Sequence, residues 1–550
     1  MIAVMSGLFL VALDQTIIST ALARIVEEFN SFSSLSWVVT AYLLTSTVTI
    51  PLAGKLSDIF GRRIVLMIGV ASFTLASLLS GSSQNIEQLI AFRAFQGIGG
   101  GIIMANAFTI VGDLFSPRER GKWQGLIGAV FGLSSVIGPL LGGFLTDPHS
   151  IFGLMTSWRW TFWINVPIGI VSFLVIARYC PPIRHEHRPK IDYLGAAFLT
   201  IALSSVILAV DNTDKVFASL IESGISLTAV KTGLYAIAAV AAALFVWAER
   251  RAEEAIIPLR FFRNRTFTTI MIVALLFGAA FLGAILYLTQ FNQQVFGANA
   301  TEAGLMLLPM IVGLSVTAAL TGQLVSRTGK YKLPIMIGFT IATVGVFSLI
   351  TLTPDSPYWH EAIIMAFVGI GLGTGMPIMN LAVQNEFEQR DLGAATASSQ
   401  LFRGLGSTIG TAVLGSILTV GVTASLDSLQ NDSYVSALKQ QPVTRQMIGD
   451  TLTTDTALLL NSSDVRRQIS DGFDASLGSK PIPTETKDRI RDDFAGKQED
   501  FGQKVETSFS DSLHGVFLVS GVLMALATVA AGFIEEKPLR GGQDDTPGLA

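Results

Sequence analysis

Fourteen times along this chain an apolar run of about twenty residues is bounded by charge, and a run of that length is what an α-helix needs to cross a bilayer. By approximate limits the first six spans are 2–22, 37–54, 64–83, 89–111, 123–145 and 161–180. A middle pair follows at 191–210 and 230–248, and a last six at 267–291, 303–325, 334–353, 361–383, 394–421 and 514–534. The composition agrees: 37 Lys or Arg and 41 Asp or Glu in 550 residues make 14% charged, against about 25% in soluble proteins. The 52 glycines suit helices packed closely in lipid. The expectation is an all-α integral membrane protein, and a soluble enzyme with a single anchor is excluded.

The first span ends in Ala21-Leu22-Ala23, which resembles a signal-peptidase site, but no basic stretch precedes it and Asp14 interrupts the apolar run. It reads as a retained helix. An even number of spans puts both termini on one side. Nineteen Lys and Arg lie in one alternate set of short loops, from Lys55, Arg62 and Arg63 to Lys332 and Arg390, and only Arg24, Arg159, Lys215 and Lys231 in the other. The positive-inside rule makes the rich side, and both termini, cytoplasmic in the cell membrane. The segment 422–513 then lies outside. Its mixed polar sequence with scattered Ile, Leu and Val predicts short amphipathic helices or partial disorder, and the tail 535–550 reads as a disordered cytoplasmic end. The domains expected are 1–180, a six-helix bundle; 181–260, an extra two-helix insert and linker; and 261–534, a second six-helix bundle carrying the 422–513 loop.

Several classes fall away. The net charge is −4 with no basic block, which argues against nucleic acid. The single cysteine, Cys180, has no internal disulfide partner, and the close pair His185 and His187 reads as a solvated loop rather than a metal site. Gly97, Gly99, Gly100 and Gly101 lie inside an apolar span with no preceding strand, so they are not a dinucleotide loop, and no Gly-Lys-Ser/Thr phosphate loop is present. No nucleophile–base cluster points to an enzyme. No metal and no organic cofactor is expected.

The two halves repeat. At an offset of 272, Gly97, Ile98, Gly99 and Gly101 align with Gly369, Ile370, Gly371 and Gly373, and the register persists to Gly138 and Gly410. At 268, Gly54, Leu56 and Gly61 meet Gly322, Leu324 and Gly329. Two related bundles that rock about a site at their interface give alternating access, the mechanics of a transporter.

The residues that carry chemistry are few. Asp14 is the only acid firmly inside a span, and an intramembrane ionisable group is a functional candidate by default. Arg93 in the fourth span is its natural partner, since a rearrangement moving the cation would change the proton affinity of the acid. In the loop after the second span, Lys55, Arg62 and Arg63 hold the cytoplasmic face, while Asp58 is placed to meet the N-terminus of a helix from the other half. The second copy, Gly322 to Lys330, lacks that acid. Gly138, Pro139, Gly142 and Gly143 offer a surface for close helix approach, with Pro139 bending the span. Arg403 is a second intramembrane cation whose partner is open between Asp14, a lipid phosphate and a substrate acid. Gln15, Thr16, Tyr42, Asn106, Gln290, Asn292, Asn380 and Gln384 are polar positions for lining a cavity or bonding between helices.

Gly54-Lys-Leu-Ser-Asp58-Ile-Phe-Gly61-Arg62-Arg63, Leu13-Asp14-Gln-Thr16, Arg93-Ala-Phe-Gln96-Gly97, Gly138-Pro139-Leu-Leu-Gly142-Gly143, Trp158-Arg159-Trp160 and Asn165-Val-Pro167-Ile-Gly169 together resemble the major facilitator superfamily. Within it they resemble the fourteen-helix drug:proton antiporter branch, over essentially the whole chain except the 422–513 loop. The resemblance implies two six-helix bundles plus a central pair. It implies that Gly54, Asp58, Gly61, Arg62 and Arg63 latch one conformation, with Asp58 the latch anion and Arg62 its partner. It also implies that the Gly138 motif helps seal one cavity face. The expected activity is proton-coupled export of lipophilic or amphiphilic compounds by a monomer. Asp14 would alternate between charged and neutral, shielded from lipid, as the bundles swing past each other. Lipid export remains open because a second cavity acid for cationic drugs is missing, and so does a sensor or scaffold that uses the 422–513 loop.

Overall fold

The computed structural model describes residues 1–29, 35–146, 150–181 except 152, 192–210, 213–298 except 254, 300–439 except 431, 452–478 except 453 and 462, and 483–539. His185 and His187, most of the tail and part of the outer loop lie outside the described residues. A first bundle is built from α1 (Ile2–Phe29), α2 (Leu35–Phe60), α3 (Arg62–Gly81), α4 (Ile86–Leu114), α5 (Pro117–Thr146), and α6 (Trp160–Trp163) running into α7 (Asn165–Tyr179). The middle pair is α8 (Tyr193–Val210) and α11 (Leu227–Glu249), joined through the short α9 (Thr213–Val216) and α10 (Ala218–Glu222). The second bundle follows as α12 (Arg265–Gln294), α13 (Ala300–Met306), α14 (Leu308–Thr328), α15 (Lys332–Ser348), α16 (Tyr358–Leu372), α17 (Gly375–Glu386) and α18 (Leu392–Leu429). Then come α19 (Ser433–Lys439), α20 (Thr454–Asn461), α21 (Ser463–Gly478) and α22 (Thr484–Ala531). A two-residue strand pair, Ser150–Ile151 with Leu154–Met155, is the only sheet among the described residues.

Helices dominate because lipid offers no hydrogen bonds, so each backbone group must be satisfied within its own segment. Thirteen spans among the described residues are long and apolar enough to cross a membrane, with α6–α7 and α16–α17 each making one span. The apolar Ile2–Ile18 stretch of the 28-residue α1 completes the fourteen. Side chains such as Ile68, Leu75, Leu174, Val344 and Phe367 point outward, as apolar residues do where the solvent is acyl chain.

The internal repeat is built into the packing. A Cβ on Gly97 or Gly101 of α4 would strike the α2 backbone at Tyr42 or Ser46, and one on Gly99 the α3 backbone at Gly69 and Phe73. Their counterparts on α16 and its end, Gly369 and Gly373, meet the α14 backbone at Met310 and Leu314, while Gly371 meets Gly338 and Ala342 of α15. Each bundle therefore presses its fourth helix against its second and third at backbone distance. At the end of the bundles where the basic loops lie, the basic face, a glycine edge of α5 forms the seam between halves. Gly121 packs on Gly322, Gly125 on Ala318 and Gly132 on Ser315 of α14. The middle pair lies across this architecture: Leu199 and Leu203 of α8 share a cluster with Val48 of α2 and Leu401 of α18, one helix from each bundle.

Two regions show more than the expectation gave. The span 361–383 is interrupted at Gly373-Thr374, where the Thr374 hydroxyl bonds back to the Gly371 carbonyl at 2.9 Å. The larger change is outside the bundles. The described part of 422–513 holds the short helices of one alternative and two longer ones: α18 runs on to Leu429, and α22 is one helix of 48 residues that begins at Thr484 and ends inside the second bundle. Between them α19, α20 and α21 fold onto α22 around a core of their own, with Tyr434, Leu438, Leu460, Phe494, Phe501 and Val505 buried together. Phe473 stacks on Phe494 at 3.9 Å, and Lys504 pairs with Asp432 at 2.6 Å.

Candidate functional site

The first constellation lies at the basic face. Gly61, with a φ of 94° open to glycine, lets α2 end and α3 begin within one residue, so Asp58 and Arg62 face each other across the break. Arg62 is fully buried. It pairs with Asp58, donates to the Ser57 hydroxyl, and holds Asp113 at the end of α4 at 2.6 Å. The Asp58 carboxylate lies against Gly393 in the first turn of α18, where any Cβ would collide with it. An anion at a helix N-terminus is favoured by the positive dipole end there. Gly54 permits the approach, for a Cβ on it would meet Ala397 and the Gly393 carbonyl. Arg120 adds a strap, donating to the Gly112 carbonyl at 2.6 Å and across the seam to the Gln384 carbonyl at 3.4 Å. Gln384 returns a bond to the Phe108 carbonyl at 3.1 Å.

Arg63 does not join this cluster. It donates to the Ala177 carbonyl of α7, inside the first bundle. Asp113 escaped the sequence reading, although its position just past the end of a span is where a partner for a buried arginine belongs. The second copy of the loop has no equivalent, and its Arg327 is exposed.

The second constellation is the Asp14–Arg93 pair, 2.6 Å apart with both side chains 1% exposed. Arg93 does not reach the interface: its Nε donates to the Val38 carbonyl at 3.1 Å and its guanidinium lies 4.4 Å from the Tyr42 ring. Gln96 accepts from Arg93 at 2.8 Å and donates to Asp14 at 2.8 Å and to Ser77 at 2.6 Å. Asn165 of α7 donates to Asp14 at 2.9 Å. Gln96 and Asn165 stood in the sequence only as motif residues, and in the fold they are the carboxylate's hydrogen-bond donors beside Arg93. Arg93, Gln96 and Asn165 all belong to the first bundle. The pair is buried inside one bundle rather than between the two.

The remaining positions divide. Thr16 bonds the Ser134 carbonyl of α5 at 2.9 Å, and Gly138 packs onto Thr16 and Ile17, so the Gly138 motif faces α1. Gly142 and Gly143 lie further along α5, and the side chain of Pro139 lies outside the described residues. Asn106 is buried and donates to the Ile102 carbonyl of its own helix at 2.9 Å. Gln15 is exposed and Gln290 half-buried. Asn292 is buried and faces Glu361, an acid with 0% exposure in the first turn of α16. Asp14 is thus not the only buried acid in the helical core: Asp58, Asp113 and Glu361 join it. Asn380 and Arg403 line a small cavity with Phe108, Met376, Met379 and Ser399.

The site thus joins two repeated bundles, a central pair, a buried charged cluster at one face and a buried ion pair in the first bundle. A family model described as Major Facilitator Superfamily matches residues 4–411. The chain belongs to the major facilitator superfamily. It is 35% identical over 541 residues to the multidrug transporter protein MdtP of Bacillus subtilis, covering 97% of this chain and 92% of that protein. It is 36% identical over 428 residues to multidrug resistance protein 3 of the same organism, covering 78% and 80%. Among solved structures, the proton:xylose symporter XylE bound to 6-bromo-6-deoxy-D-glucose aligns with a TM-score of 0.55 at 14% identity, over 76% of this chain and 87% of that one. That likeness is one of fold. As a member of this family the protein is a multi-span membrane transporter and not an enzyme.

Proposed function

We propose that the protein is a proton-coupled exporter of lipophilic or amphiphilic compounds, acting as a single chain in the cytoplasmic membrane with both termini in the cytoplasm. The observation that carries the proposal is the Asp14–Arg93 pair, a carboxylate sealed inside the first bundle and held by one cation and two amides. Likeness to two proteins named for multidrug transport and resistance supports export, and the excess of Lys and Arg in one set of loops supports the orientation.

In this reading the proton is the coupling ion and no other cofactor takes part. Protonation of Asp14 from outside removes the counter-charge of Arg93, and α1, α4 and α7 readjust. Helix α4 carries Arg93 near one end and Asp113 at the other, about 30 Å apart at 1.5 Å per residue. One rigid helix thus joins the protonation site to the latch of Asp58, Arg62 and Asp113. Released, the latch lets the basic face open to the cytoplasm or the inner leaflet. Substrate binding and loss of the proton then favour closure and release outside. Each inward proton supplies about 2.3 kcal/mol per 100 mV, enough for one proton to sustain a substantial gradient.

The test is substrate-dependent proton flux in proteoliposomes, with a lipophilic cation, a neutral amphiphile and an anionic amphiphile offered in turn. A sensor or scaffold would produce no flux with any of them.

A further inference from the structure

Arg403 is eleven residues into α18, about 16 Å along the helix and so near the middle of a hydrocarbon layer about 30 Å thick. The other arginines that reach the core are engaged: Arg62 by Asp58 and Asp113, Arg93 by Asp14, and Arg120 by carbonyl oxygens. Arg403 is half-buried, and among the described residues no ion pair and no side-chain hydrogen bond engages its guanidinium. A cation left without a counter-charge at this depth is costly, and such charges mark substrate or ion pathways.

Its surroundings are built for a particular kind of molecule. The small cavity that Arg403 lines has a volume of about 10 Å³, room for about one water. Phe108 comes from the first bundle, whereas Met376, Met379, Asn380 and Ser399 come from the second. The cavity therefore lies on the seam and enlarges when the halves part. Along the same seam Gln384 bonds the Phe108 carbonyl and Asp58 meets Gly393. Two methionines and a phenylalanine accept apolar bodies of varied shape. Gln400, three residues before Arg403, bonds the Met104 carbonyl across the seam at 3.5 Å and leaves its own side-chain oxygen unpaired. No carboxylate lines the cavity, and Asp14 is already taken up inside the first bundle.

We propose that Arg403 is the counter-charge for an acidic group on the transported compound, so that the preferred substrates are anionic amphiphiles with one carboxylate, sulfonate or phosphate on an apolar body. This deepens the exporter reading and rests on it. A free organic acid and a lysophospholipid share this chemistry.

The experiment uses the full chain in proteoliposomes under an imposed proton gradient. The probes carry one dansyl-labelled alkyl chain ending in a carboxylate, a trimethylammonium or a hydroxyl group, and a fourth is a lysophosphatidic acid bearing the same label. The expected result is that an acidic probe moves at least tenfold faster than the ammonium probe. In Arg403→Gln the carboxylate-to-hydroxyl flux ratio falls at least tenfold, and Arg403→Lys recovers part of it. A faster lysophosphatidic acid with the same dependence on Arg403 identifies the acid as a lipid's, and a faster carboxylate identifies it as a free one. A ratio unchanged in Arg403→Gln overturns the proposal. So does an ammonium preference in the wild type, a result that stands even where the variant fails to insert. Movement of the hydroxyl or ammonium probe without the acids leaves the exporter reading standing and removes this one, whereas no movement of any probe removes both.

Discussion

Asp113 at the end of α4 lies 2.6 Å from Arg62 at the start of α3, and neither side chain is exposed. Because Arg62 also holds Asp58, and Asp58 lies on the first turn of α18, one buried guanidinium ties three helices of the first bundle to the seam with the second.

Removing Asp113 should weaken that tie. Arg62 keeps Asp58 but loses its second buried acid. Asp113→Ala is expected to slow transport at least tenfold and to loosen closure of the basic face. With Cys180 replaced by serine, a Ser399→Cys reporter buried between the halves would be labelled from that face faster in the Asp113 variant. Equal labelling rates would detach Asp113 from the latch.

Asp14→Asn should abolish proton-driven efflux while the chain still inserts, because Asn keeps an oxygen for Gln96 and Asn165. Arg93 then lacks its counter-charge, so thermal stability falls by about 3–5 kcal/mol. The double variant Asp14→Asn with Arg93→Gln should regain stability without regaining coupling. Recovery of both would make the pair a structural clasp and nothing more.

Glycines in the packed helices should respond with opposite sign to one facing lipid. In a free helix, glycine to alanine is worth about 1 kcal/mol of stabilisation. Gly233 of α11 has nothing within 4 Å of an added Cβ and should show that gain. At Gly99 and Gly371 the methyl would strike backbone, and overpacking of this kind costs about 1–3 kcal/mol. Thermal melts in detergent of the three single alanine variants decide it, with Gly99 and Gly371 expected to fall together.

Phe494 is stacked on Phe473 and packed beside Tyr434 in the outer helical cap, separate from the cores of both bundles. Phe494→Ala should cost about 3–5 kcal/mol locally. Limited proteolysis should cut 432–505 much faster in the variant and leave the bundles whole. Cleavage spread into the bundles would show that cap and bundles unfold as one.

The spans were legible because a twenty-residue apolar run has few alternative fates, and the duplication because backbone contact at Gly97, Gly99 and Gly101 recurs at Gly369, Gly371 and Gly373. Asp14 and Arg93 stood out as charges within apolar sequence. Asp113 did not, because it falls where a span is already turning polar, and Glu361 was hidden in the first turn of its helix. Nor could sequence distance reveal that Arg63 turns to α7 while Arg62 turns inward. The outer helix was readable in principle: Phe494, Phe501, Val505 and Phe509 recur at helical spacing ahead of the last span, but the charged residues between them resembled a solvated loop.

Helix α22 runs from inside the second bundle to the far side of the cap without a break, about 72 Å at 1.5 Å per residue. A rod of that length is a lever arm: a small tilt at its root sweeps its tip through a wide arc. Any tilt of the bundle at its root is therefore carried, magnified, to whatever surface the cap meets.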